Sequence, residues 1–222
     1  MTISIHQPAY NPWLGYINKI SLSDLFIFLD TVQFEKNSFI NRNKIKTPQG
    51  TMWLTIPVQS KNHLNKKLNE IEIDYKQNWI KVHLKSIELN YKKAKNYEIV
   101  YEFWEDILNR KYQYLSDLCF DQLNGIVNLL GNIDTQIIKS SSLDIEGENS
   151  DLILNICKMT SADKYISGIL GKDYLQLEDF NKESIKVIFQ NFKHPYYKQL
   201  WGDFQPCIGV LDYLMNMEKI KL

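Results

Sequence analysis

Apolar positions along this chain follow two alternating rhythms, and the alternation predicts an architecture. Met1 to Ile5 reads as a short strand. Asn11-Pro12 has the residue types of a helix N-cap and first helical position. From Pro12 to Ser21 the positions Trp13, Tyr16, Ile17 and Ile20 recur at the spacing of a core-facing helix. Leu25-Phe26-Ile27-Phe28-Leu29 is apolar at every position, which suits a strand covered on both faces of a parallel sheet. Strand, helix and strand so closely spaced form a right-handed crossover.

Residues 39–58 change the rhythm, with two extended segments flanking Thr47-Pro48-Gln49-Gly50, a turn by residue type. Residues 78–130 are helical. Ile80, Leu84, Ile87 and Tyr91 form one stripe; Val100, Phe103, Trp104, Ile107 and Leu108 a second; Leu115 to Leu130 a third, closed by Gly131. Strand and helix then alternate again, with strands at 135–138, 164–166 and 185–189 and a helix from Asp151 to Met159. The predicted class is α/β: a mostly parallel sheet with flanking helices, in one domain over 1–222. The 39–58 hairpin and the 78–130 helical block, read as a cap, are insertions.

A parallel sheet gathers distant residues at the carboxyl ends of its strands. His6, Asp30, Ser141, Ser167 and His194 all follow predicted strands and therefore share one edge. The loop His6-Gln7-Pro8-Ala9-Tyr10-Asn11-Pro12-Trp13 carries an imidazole, an amide, a phenol, an indole and two prolines within eight residues. Prolines reduce the unfolded entropy of such a loop and aromatics offer stacking faces; a rigid surface turn is the plainer reading. Arg42, Lys44 and Lys46 stand two apart and project from one strand face. They read either as a phosphate clamp or as solvated charges guarding an edge strand. His83 reads as packed or solvated on its helix, and His63 as part of an exposed loop at 61–67.

The stretch from His6 to Tyr16 is followed by Asp24-Leu25-Phe26-Ile27-Phe28-Leu29-Asp30-Thr31-Val32-Gln33-Phe34, Asn41-Arg42-Asn43-Lys44-Ile45-Lys46 and Trp53-Leu54-Thr55-Ile56-Pro57-Val58. Later come Tyr165-Ile166-Ser167-Gly168, His194-Pro195-Tyr196-Tyr197, and Phe204-Gln205-Pro206 before a helix with Leu211-Asp212. Together these resemble the WbqC-like family of bacterial proteins over nearly the whole chain. That family is usually found among genes for O-antigen and other surface polysaccharides, and the resemblance implies a glycine-transferase role. Two positions depart from it: a small hydroxyl residue is expected at Gly209 and a glycine near Met217.

With 222 residues the chain can bury one sizeable core, and its formal net charge of +0 argues against a general nucleic-acid binder. A local basic site for one phosphorylated ligand fits the same balance. An apolar run of about 18 residues is missing, as is a basic start before an apolar stretch, so the expectation is a cytoplasmic protein without membrane span or signal peptide. Cys119, Cys157 and Cys207 lie far apart among apolar residues and read as buried small hydrophobes. Scattered histidines, with no HExxH and no Cys/His spacing, imply no metal. Neither GxGxxG nor a P-loop occurs, so no dinucleotide cofactor is expected.

What remains is acid-base chemistry and positioning. His6 and His194 are candidate bases, with Asp30 orienting one of them or the substrate. Gln7, Tyr10, Trp13, Asn41, Arg42, Lys46, Ser141, Ser167 and Tyr197 are candidate substrate contacts. Transfer of a glycyl group to a sugar amine needs such a set: a base for the amine, donors for an oxyanion and a clamp for the nucleotide phosphates. The expected partners are a nucleotide-linked sugar and an activated amino acid. Two other readings stay open. One is adenylate formation by a HIGH-like nucleotidyl transferase, although Trp13-Leu14-Gly15-Tyr16 stands where that motif carries two histidines. The other is a non-catalytic nucleotide-sugar binding protein.

Overall fold

A strand that is apolar on both faces needs a layer against each, and the chain supplies both. The computed structural model describes residues 1–35, 38–59 and 66–217. In chain order it runs β1 (Thr2–His6), α1 (Leu14–Ser21), β2 (Leu25–Phe28), then the hairpin β3 (Arg42–Thr47) and β4 (Gly50–Thr55). The helical block follows as α2 (Trp79–Tyr91), α3 (Tyr97–Asn109) and α4 (Leu115–Leu130). Then come β5 (Gln136–Lys139), α5 (Asn149–Met159), β6 (Lys164–Ser167), α6 (Leu177–Lys182), β7 (Lys186–Phe189) and α7 (Val210–Asn216).

Five strands form one parallel sheet in the order β5-β2-β1-β6-β7, and β3 pairs antiparallel with β4 in a separate two-stranded sheet. The α/β class and the parallel sheet are therefore as the apolar runs predict. Residue alternation sorts the two cores. Ile3 and Ile5 of β1 with Leu25 and Ile27 of β2 join Leu152, Ile153 and Ile156 of α5 and Phe180 of α6. Phe26 and Phe28 turn the other way and join Tyr16, Ile17 and Ile20 of α1 with the helical block and α7. The block packs on the sheet itself, with Phe120 edge-on to Phe28 at 5.3 Å. Gly131, at φ 68, ends α4 in the left-handed conformation expected of it.

One element starts later than its sequence suggests. Helix α1 begins at Leu14, not Pro12, because Asn11 has φ 47 and its side chain serves another helix. Asn11 Oδ1 accepts the backbone N–H of Leu211 at 3.0 Å and so satisfies the start of α7. The Asn11 amide donates to Gln122 Oε1 of α4 at 2.7 Å, and its carbonyl accepts Asn43 Nδ2 of β3 at 2.6 Å. Gly209 makes this approach possible: a Cβ there would lie 1.9 Å from Asn11 Nδ2. The departure from the family pattern at Gly209 thus has a steric reason in this chain.

Cys119 and Cys157 are buried, as read from sequence, whereas Cys207 is exposed because it sits on the surface turn before α7 with φ 58. His63 falls outside the described residues. Among the described residues no helix is long and apolar enough to cross a membrane.

Gly209→Ala is expected to lower the unfolding free energy by about 1–3 kcal/mol, the range for forced overpacking, read from the denaturant midpoint. Adding Asn11→Gly, which tolerates the positive φ and removes the clashing amide, should restore part of that loss. A neutral Gly209→Ala would contradict the packing described.

Candidate functional site at the strand-order reversal

From β1 the chain builds outward to β2 and β5, then crosses to the other side of β1 to lay down β6 and β7. The order reverses between β1 and β6, and in doubly wound sheets the loops at such a reversal are where ligands bind. Carbonyls of β1 alternate in direction. His6 O accepts Leu29 N on the β2 side, and Met1 O accepts Asp163 and Lys164 N on the β6 side. Odd-numbered Ile5 therefore aims its carbonyl at β6, one step beyond the last paired residues, Ser4 and Ile166. Lys19 Nζ of α1 fills that gap by donating to Ile5 O at 2.7 Å.

Lys19 is 3% exposed and has no carboxylate partner among the described residues. Burial lowers its ammonium from the usual 10.5 to about 7, which brings its titration into the neutral range. Sequence reasoning missed it. The available signal was a lysine set between Ile17 and Ile20 on the apolar side of an amphipathic helix.

His6 stands beside this amine at the end of β1. Its ring packs against Tyr16 at 4.7 Å and Trp13 at 5.5 Å. Nδ1 lies 3.0 Å from Gln7 O, and since a carbonyl only accepts, Nδ1 carries the hydrogen and Nε2 the lone pair. Desolvation, with the charge of Lys19 second, lowers the imidazole from 6.5 to about 3. The ring reaches solvent in part, but the walls of Trp13 and Tyr16 dominate its surroundings. His6 is therefore neutral across the physiological range, an acceptor through Nε2 rather than a strong base. Gln7 is half-buried next to it, and its side-chain amide has no partner among the described residues. Across the reversal, Ser167 ends β6 with its hydroxyl donated to Gly168 O at 3.1 Å.

On the other side of β1, Asp30 is 1% exposed and committed to the turn after β5. Its Oδ1 accepts Ser140 Oγ and Ser141 N, both at 2.9 Å, and its Oδ2 accepts Ser141 Oγ at 2.7 Å. Asp30 and Ser141 thus hold β2 to β5 rather than orienting His6.

His194 reaches the rim from the segment after β7. Gln190 Nε2 donates to Gly15 O at 2.9 Å and anchors that segment on α1, and Phe192 packs over Gly15 beside Trp13 Nε1. His194 then packs on Phe192, Tyr197 and Phe204 at 5.6–6.2 Å. It repeats the His6 geometry, with Nδ1 2.9 Å from the carbonyl of the following Pro195. Phe192 and Trp13 thus both border Gly15 of α1.

Four candidates sit elsewhere. Tyr10 is fully buried, its hydroxyl bonded to His83 Nδ1 at 3.0 Å, while His83 Nε2 donates to Thr55 O. Asn41 is buried and donates to Ile56 O at 2.9 Å. Lys46, 2% exposed, donates its ammonium to Asp203 O and so does not join Arg42 at the surface. Lys44 takes that place: it and Arg42 lie 5.0 and 4.5 Å over the Trp53 ring. Tyr197 is buried under His194 against Tyr213. Each is drawn inward by a core neighbour that the spacing along its own strand or loop does not reveal. Among the described residues no group of three His, Cys, Asp or Glu side chains is placed to hold a metal ion.

The fold is that of a doubly wound parallel α/β protein, with His6, Gln7 and the Lys19–Ile5 bond at the carboxyl end of its central strand. The chain belongs to the WbqC-like protein family, which matches residues 7–222. It is also 35% identical over 217 residues to the Mycobacterium tuberculosis (strain ATCC 25618 / H37Rv) "Uncharacterized protein Rv1507c", covering 97% of this chain and 93% of that protein. No solved structure matches it.

The depressed lysine gives a signed expectation. Between about pH 7 and 10.5 the unfolded chain holds a proton on Lys19 that the folded chain lacks, so Lys19 makes stability rise with pH across that window. Below pH 7 the penalty is fully present. Lys19→Met should therefore stabilise the protein most below pH 7 and least near pH 10, with a gain exceeding the roughly 1 kcal/mol lost with the Ile5 hydrogen bond. Thermal melts from pH 6 to 10 measure this, and a uniform destabilisation would contradict it.

Proposed function

We propose that the protein transfers a glycyl or other amino-acyl group to the amine of a nucleotide-linked amino sugar, a cytoplasmic step in making a bacterial surface polysaccharide. The observation that carries the reading is the Lys19 ammonium donating to Ile5 O, next to His6 and Gln7 at the end of β1 where the strand order reverses. Doubly wound sheets hold nucleotides at that reversal, and the WbqC-like resemblance implies a glycine-transferase role.

In the proposed step the sugar amine attacks the carbonyl carbon of an activated glycyl ester or anhydride. A C–N bond forms, the bond to the leaving oxygen or sulfur breaks, and that atom departs with the electron pair. His6 Nε2 accepts a hydrogen bond from the amine N–H and positions it, with His194 at the rim as the second acceptor, and the proton the nitrogen sheds as the C–N bond forms passes to the departing oxygen or sulfur. The Lys19 charge beside His6 holds its basicity down. Loss of that charge above about pH 7 makes His6 the better acceptor, so kcat/KM should rise through that pH. Gln7 supplies a donor for the developing oxyanion. Arg42 faces the phosphates of the nucleotide.

A role in binding nucleotide sugars without turnover is favoured by one observation, the low basicity of His6. Mass spectrometry separates the two. An enzyme adds one glycyl residue to the amino sugar, and His6→Ala should cut kcat about tenfold, the worth of one positioning hydrogen bond, with little change in ligand affinity. Lys19→Met should remove the pH limb near 7. Wild-type protein that binds the nucleotide sugar but never gains product, with affinity lost in His6→Ala, would establish the binding role instead.

A further inference from the structure

We propose that the outer face of the β3–β4 hairpin is a stacking site for the base of a nucleoside diphosphate, with Phe39 and Trp53 as the platform and Arg42 and Lys44 as the cations for its phosphates. The inference rests on the nucleotide-linked substrate proposed above and assigns the part of the protein that reads its nucleotide end.

Phe39 and Trp53 are 44% and 40% exposed, although each has a large apolar area that folding normally buries. They are adjacent, with ring centroids 5.8 Å apart, so their exposed faces form one surface. The register of the hairpin explains what borders it. Lys44 lies directly opposite Trp53 and Arg42 opposite Thr55, which puts both cations on the strand face that carries the indole. The guanidinium lies 4.5 Å and the ammonium 5.0 Å from the indole centroid, held by attraction to the ring. No carboxylate pairs with Lys44 among the described residues.

An edge strand guarded against pairing would explain the cations but not two large aromatics left open beside them. Aromatic faces flanked by cations match a ligand that joins a planar ring to an anion. A neutral saccharide would use the rings and leave both charges unused. Bases stack on aromatic side chains in this way, and guanidinium and ammonium groups hold phosphates. The chain has no Gly-rich phosphate loop, so phosphates must be held by side chains such as these.

The platform also leads toward the end of β1. Phe39 packs on Trp13 at 5.5 Å and Trp13 on His6 at 5.5 Å, giving an unbroken row of rings from the hairpin to the strand-order reversal. The hairpin is fixed in place. Lys44 O accepts Gly209 N at 3.0 Å, Lys46 N donates to Tyr91 Oη at 2.8 Å, and Asn43 is tied to Asn11. A platform ordered before binding loses little entropy when the ligand arrives.

The test is calorimetric titration with UDP, ADP and inorganic pyrophosphate on wild type, Phe39→Ala, Trp53→Ala and the Arg42→Glu/Lys44→Glu double variant, with melts confirming the fold. Both cations lie over Trp53 rather than Phe39, so Phe39→Ala should weaken both nucleotides about tenfold while leaving pyrophosphate affinity unchanged, the selectivity expected of lost stacking. Trp53→Ala should weaken the nucleotides at least as much. The double charge variant should weaken all three ligands and flatten their salt dependence. Nucleotide binding untouched by Phe39→Ala and Trp53→Ala, or equal losses for UDP and pyrophosphate in Phe39→Ala, would overturn the platform and leave the proposed substrate class standing. A wild type that binds no nucleoside diphosphate would overturn both. Nucleotide binding that depends on Phe39, without glycyl transfer, would keep the platform and remove the transferase.

Discussion

Asn11 is the residue on which the arrangement of parts depends. Its backbone amide, backbone carbonyl and side-chain oxygen each bond a different element, α4 through Gln122, β3 through Asn43 and α7 through Leu211. All three groups can reach because the backbone turns through the left-handed region at φ 47, a conformation asparagine tolerates better than most residues. The loop leaving β1 is thereby fixed to the hairpin, the helical block and the C-terminal helix at one point. His6 and Trp13 flank that point, so their positions relative to the hairpin and the His194 segment are set by it.

Within this frame the polar groups divide by burial. Asp30 with its serines and His83 with Tyr10 are satisfied pairs that hold elements together. Lys19 differs, because its ammonium ends on a carbonyl, with no opposite charge beside it. A cation taken out of water on such terms costs stability. Chains tolerate such costs where activity requires a strained or desolvated group, and perturbed ionisations concentrate at those places. Desolvation likewise keeps His6 neutral, its imidazole walled by Trp13 and Tyr16.

Much of the fold was legible in the sequence because parallel strands covered on both faces leave continuous apolar runs, as in Leu25 to Leu29. The same logic placed His6, Ser167 and His194 near one edge, since position at a strand end follows from strand boundaries alone. It failed for Asn11, whose residue type signals a helix cap but not which helix, and the helix it serves lies 200 residues away. It failed for Lys46, where alternation gives the strand face correctly but cannot show that Asp203 lies over it. Lys19 was illegible for a related reason: helical periodicity tells which side a residue faces, and only the tertiary neighbours tell whether water is there. The side of the sheet on which Asp30 would find its partners depended on strand order, which no local pattern contains.

The central position of β1 bears on how the chain assembles. The unit β1-α1-β2 is local in sequence and can close first, but both of its edges lack partners until much later residues are made. Phe26 pairs with Ile137 on one side, and Ile3 with Tyr165 on the other. Synthesis at about 5–20 residues per second leaves those edges open for on the order of 10 s. Closing loops of that length lowers the folding rate more than it lowers stability. During that interval the earliest hydrophobic strands of the chain are its most exposed aggregation surface, and the later-made half of the sheet acts toward them as a built-in chaperone.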